Sequence, residues 1–270
     1  VYSMGYHYGY AKGLHGRLAK VIDDPGKMTA AQRREMRRLL TYYAYDLHST
    51  DTFPFGTGFH LNNPNMTIMA IEARVKASSL IEEHPKFREW GEWSRELLTN
   101  YFERFTKESG APFENPHYTL GVTMNWAIQA NELLMENGLG DGLDSETFRS
   151  SMEFILNWLT PPDPRFNDHR VIVPFGNSSY QSVPQDFTQR FVKYYRERDP
   201  ELAAKLQWFG NQTMPPDKRV DLVESESPEL TSGWYEDYGV IFRHGFGTEH
   251  ETFMHLLAGE CFGHYEAETD

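Results

Sequence analysis

The chain has 270 residues, enough for one large domain or one and a half with a real apolar core. Its formal net charge of −13 argues against nucleic acid or an anionic membrane as partner, so an anionic ligand must meet a local cluster of cations. No apolar run approaches the roughly 18 residues of a membrane span, and the single Cys261 excludes an internal disulfide framework.

The N-terminal residue is Val1, which suggests a processed or internal start. Leu14, Leu18 and Val21 or Ile22 line one face of an amphipathic helix over 10–22. A D-D-P-G turn follows, and Thr29 is a candidate N-cap for a helix to about 48. Residues 51–63 are aromatic and Gly-rich, the pattern of a surface or cleft loop. Asn63 and Pro64 form an N-cap and first-turn pair for a helix to about 82, and Pro85 opens another to about 107.

The stretch E-N-P-H-Y-T-L-G-V-T-M-N-W from Glu114 to Trp126 sets Pro116 in a first helical turn, where its missing N–H costs nothing. His117 and Tyr118 then sit at a helix mouth, placed to face a cleft. The helix stops at Gly138-Leu139-Gly140, Ser145 begins the next, and P-P-D-P ends that one. A long, aromatic loop over 161–184 carries the length expected of a functional segment. Helices return over 186–196 and 200–209.

After Gln212 the pattern changes. Residues 213–230 read as a linker, and from Trp234 onward short apolar and alternating runs around a Gly-rich turn read as strands. Alternation puts His250, Thr252 and Met254 on one face and Glu251, Phe253 and His255 on the other. Helix pairs recur about every fifty residues, the sign of stacked antiparallel hairpins in a solenoid or a closed α/α toroid. The expected architecture is therefore mainly α: a complete or incomplete α/α toroid over 1–212, the linker, and the first strands of an antiparallel β-sandwich over 231–270, which Asp270 cuts short.

A toroid gathers alternate loops at one rim. Three loops bring polar groups there: His60, Asn62, Asn63 and Asn65; then Glu114, His117 and Tyr118; then His169, Arg170, Asn177 and Tyr180. A fourth group, His244, His250, His255 and His264, fits no standard zinc spacing. There is no P-loop, dinucleotide fingerprint, nucleophile elbow or H-E-x-x-H. Carboxylates are plentiful, which leaves a glycosidase pair open. Fourteen per cent aromatic content suits core packing and equally suits stacking on pyranose rings.

The order of parts, with S-G-W-Y-E-D-Y-G-V-I-F-R-H-G-F-G and G-H-Y-E-A-E-T-D at its end, resembles the heparinase II/III-like polysaccharide lyases and related alginate lyases. That resemblance implies an α/α toroid plus β-sandwich and β-elimination at a uronic acid, in which the C5 proton is removed and charge spreads onto the carboxylate. Carried over by position, Asn63, with Asn62, contacts the carboxylate. Tyr118 transfers the proton, and His117 or His264 is its partner. His60, Arg170, Tyr180 and Arg243 are the expected substrate-binding groups. Since a phenol ordinarily titrates near 10, a base role requires a neighbouring cation. Pro64 and Asn65 stand where family members often carry His, and H-Y-E-A-E-T-D matches the family's H-x-H-x-D loosely.

The resemblance implies a secreted or periplasmic enzyme with no required cofactor, an anionic polysaccharide as partner, and a structural zinc or calcium in the β region with His264 as a candidate ligand. A homo-oligomer or a further chain segment would complete the β domain. The rivals are a uronate C5-epimerase, an α/α-toroid glycoside hydrolase and a non-catalytic glycan-binding protein.

Overall fold

A computed structural model describes residues 22, 24, 26–49, 64–176, 178 and 182–259. The helix expected over 10–22 and the loop over 51–63 lie outside the described residues, Ile22 excepted. The chain divides into two compact units, one formed by 1–101 with 126–144 and the other by 102–125 with 145–270.

In the first unit, α1 (Ala30–Leu47) starts at Thr29 because the side chain there accepts from the Gln32 N–H while Gln32 accepts from the Thr29 N–H. This reciprocal cap satisfies two orphan donors at once. Leu40, Ala44 and Leu47 recur at helical spacing and are buried. They meet Ala70, Ala73 and Ala77 of α2 (Pro64–Ser79), whose small side chains admit a close approach, together with Ile81 and Trp90. Helix α2 is buried nearly all round and carries charge inside: Glu72 pairs with Lys76, while Arg74 donates to the Leu47 carbonyl at 2.8 Å and lies over Trp93.

Helix α3 (Phe87–Phe105) follows. Pro116–Tyr118 forms a short α4, continued by a π-helical turn over Thr119–Met124 and then by α5 (Asn125–Glu136). Helix α5 ends as its glycines require. Gly138 and Gly140 take φ of 66° and 91°, and Asn131 clamps the break, donating to Asp141 and accepting from the Gly142 N–H.

In the second unit, α6 (Glu146–Phe154) is capped by Ser145, and a 3-10 turn over Ile155–Trp158 extends it. Helices α7 (Gln185–Tyr195) and α8 (Pro200–Gln212) are joined by a four-residue turn, which makes them antiparallel neighbours. Gly210 allows their approach, since a Cβ there would lie 2.3 Å from the Thr188 hydroxyl. Phe148, Phe187, Phe191 and Phe209 fill the core beneath them. The segment 213–230 lies along α8: Gln207 accepts from the Leu222 N–H, Asn211 donates to Asp221, and the Glu226 N–H reaches Ala204.

Three strands, β1 (Gly233–Tyr235), β2 (Gly239–His244) and β3 (Thr252–Leu257), form an antiparallel sheet in sequence order. Phe242 pairs with Met254 and Ile241 with His255. The expected alternation holds in β3, where Phe253 and His255 are half-buried while Thr252, Met254 and Leu256 are exposed. Tyr238 anchors the sheet, its hydroxyl accepting from the Trp158 indole N–H at 2.8 Å inside a ring formed with Phe154.

Candidate functional site

Helix α4 is built by its own sequence. Asn115 is extended, and its side chain accepts from the Tyr118 N–H at 2.9 Å; Pro116 supplies the first turn. The cap is therefore Asn115, with Glu114 one residue outside the helix. The Glu114 carboxylate accepts from the Asn115 N–H and its carbonyl accepts from the Thr119 hydroxyl, so the buried acid fixes the approach to the helix. His117 and Tyr118 are half-buried, their rings 5.5 Å apart at 69°.

The π-helical turn begins at the next residue, Thr119. It shifts the side-chain register relative to an α-helix, a local deformation frequent at functional sites. Nothing in the hydrophobic period marks it in advance; Gly121, exposed in its middle, is the sole local sign.

His60, Asn62, Asn63, Tyr180 and His264 lie outside the described residues, as does Asn177. Asn65 is buried in α2 and His169 is half-buried in a bridge with Asp163. Arg170 and Arg243, expected to bind substrate, are buried. Their residues are 4% and 6% exposed and both bind Glu251. Arg170 grips that carboxylate with two bonds of 2.9 and 2.6 Å and gives another to the Thr160 carbonyl; Arg243 adds a bond to Glu251 and one to the Leu159 carbonyl. Burial alone would push the Glu251 carboxyl up, but bonds from Arg170 and the Gly247 N–H outweigh it and hold it below the usual carboxylate range. The shared carboxylate and the carbonyl bonds offset the cost of taking these two guanidinium groups out of water.

His255 is a second buried polar group. Both of its ring nitrogens are buried without a hydrogen-bond partner, among Phe175, Tyr238 and Phe253. Burial, helped by the charge of Arg243, pulls its imidazole down to about 3. His244 and His250 are exposed. Among the described residues, no group of three or more His, Cys, Asp or Glu side chains is arranged to hold a metal.

Sequence reasoning missed a surface pocket of about 740 Å³ in the first unit, lined by Tyr42, Tyr45, Asp46, His48, Trp90 and Trp93 among others. Trp90 stacks with His48 and with His84, at 4.8 and 5.0 Å, with Tyr45 set edge-on. The His48 Nδ1–H donates to the Ala44 carbonyl, and burial pulls this imidazole down to about 3 as well. An i, i+3, i+4 scan of polar aromatics and arginines along 34–49 was the available signal.

The expected fold class is the one observed, a mainly helical chain of hairpins followed by an antiparallel sheet. It resembles the fold of two solved heparinase III structures. The crystal structure of heparinase III matches with a TM-score of 0.61 at 18% identity, over 88% of this chain and 35% of that one. The Heparinase III-BT4657 gene product matches with a TM-score of 0.57 at 17% identity, over 86% and 33%. The chain thus spans about a third of the length of these structures. By sequence, no family model and no curated protein matches it.

Proposed function

We propose that this chain carries the helical catalytic region of a polysaccharide lyase acting on a uronate-containing polymer by β-elimination. The observation that supports it is the pairing of half-exposed Tyr118 with His117 on a capped helix mouth, in a chain with the heparinase III fold. In this reading one group removes the C5 proton, and the electron pair forms the C4–C5 double bond. The C4–O bond breaks, and the leaving oxygen takes a proton. Tyr118 handles a proton at this centre, and His117 or His264 is its partner. Asn63 offers a neutral amide to the carboxylate as charge develops there. The chemistry needs no cofactor, and a polymer substrate fits a secreted or periplasmic enzyme.

The test is ultraviolet absorbance of the unsaturated product when alginate, glycosaminoglycans and ulvan are offered. Tyr118→Phe should lower the rate by roughly 10²- to 10⁴-fold, the ordinary contribution of a positioned acid or base. Absence of product across the panel, or full activity in Tyr118→Phe, sinks the assignment. Solvent deuterium incorporated without cleavage would mean an epimerase instead.

A further inference from the structure

The exposed side of α1 is organised end to end. Arg34, Arg37, Arg38, Thr41, Tyr42 and Tyr45 follow one another at helical spacing and line one surface groove, and Tyr42 and Tyr45 also line the 740 Å³ pocket that continues it. From Arg34 to Tyr45 the stripe runs about 16 Å along the helix axis. One end is cationic and the other aromatic. Tyr42 is 74% exposed and Tyr45 48%, so both rings stand at the surface of the groove, where a ligand can reach them.

We infer that this groove binds an acidic oligosaccharide, with its carboxylates or sulfates on the arginines, its pyranose faces on Tyr42 and Tyr45, and its hydroxyls toward Asp46 and Ser49. Charge complementarity selects this occupant: three arginines cluster within five residues of a chain whose net charge is −13. Two of their ion pairs yield readily. Arg37 meets Glu83 and Arg38 meets Glu35 at 3.4 and 3.2 Å, all four on exposed side chains, and solvent screening leaves pairs of this kind weak. A bidentate anion on the ligand competes well against them. The saccharide class rests on the lyase reading; the groove itself rests on α1.

Calorimetric titration of alginate, heparan sulfate and ulvan oligosaccharides into the Tyr118→Phe chain tests this without turnover. Tyr42→Ala with Tyr45→Ala should weaken the best ligand by roughly tenfold or more, about 1.4 kcal/mol. Arg34→Ser with Arg37→Ser and Arg38→Ser should weaken it and flatten its salt dependence. Circular dichroism should be unchanged in both, and the arginine variant decides if the tyrosine variant perturbs folding. Wild-type affinity in both variants, equal binding of a neutral cello-oligosaccharide, or binding of none of the acidic probes overturns the proposal. A chain that binds through α1 without cleaving loses the lyase reading and keeps the groove. One that cleaves while both variants bind as before loses the groove and keeps the lyase reading.

Discussion

The two units treat arginine in opposite ways. In the second, Arg170 and Arg243 converge on Glu251, whose side chain is 2% exposed, and give further bonds to main-chain carbonyls. In the first, Arg37 and Arg38 stand on the open face of α1 with Glu83 and Glu35, side chains that are 86% and 61% exposed. The same residue type therefore holds a sheet to its neighbours in one place and faces solvent in the other. Burial makes the difference, because a desolvated charge tolerates no loss of partner while a hydrated one barely notices it.

Removing the carboxylates should break the comparison open. Glu251→Ala leaves two buried guanidinium groups without their shared anion and is expected to destabilise the second unit by about 3 to 5 kcal/mol, read as a lower urea midpoint. Glu83→Ala should shift stability by less than about 1 kcal/mol. Equal effects of the two would remove the distinction.

The buried imidazoles sharpen it next, since each unit has one. His48 and His255 are held near 3 in the folded chain against an ordinary 6.5, so the unfolded chain binds protons first as pH falls. Both contributions are intact above about 6.5 and decline progressively between 6.5 and 3. Glu251 adds to the loss only lower, as pH falls below its ordinary 4.5. Urea midpoints measured between pH 7 and 5 should fall, and His255→Leu should flatten that slope. An unchanged slope in both His255→Leu and His48→Leu would show that neither imidazole is neutral by burial. The smallest expected effect belongs to a local device: Thr29→Ala should cost about 1 kcal/mol through loss of the α1 cap, seen as a modest drop in thermal midpoint.

Such local devices were legible in the sequence. Thr29, Ser145 and the Gly138 to Gly140 break act within one turn of their own position, so their residue types specify the geometry directly. The fold class followed from the same signals repeated, with helix hairpins first and alternating strands last. The site was legible in part. Pro116 announced the helix mouth that displays His117 and Tyr118, but that Asn115 is its cap and that the Glu114 carboxylate lies buried against the Asn115 N–H came only from the structure. Nor does any spacing reveal that Arg170 and Arg243, 73 residues apart, meet the same Glu251.

By itself, then, the sequence determined where helices begin and stop, that a sheet follows them, and which residues stand at the mouth of α4. These depend on backbone conformation and hydrogen bonds between near neighbours, which residue type controls. Only the tertiary structure decided which charges are buried and which remain available, because that depends on what distant segments lay over each side chain. It sealed Arg170 and Arg243 against Glu251 and left Arg34, Arg37, Arg38, Tyr42 and Tyr45 of α1 exposed.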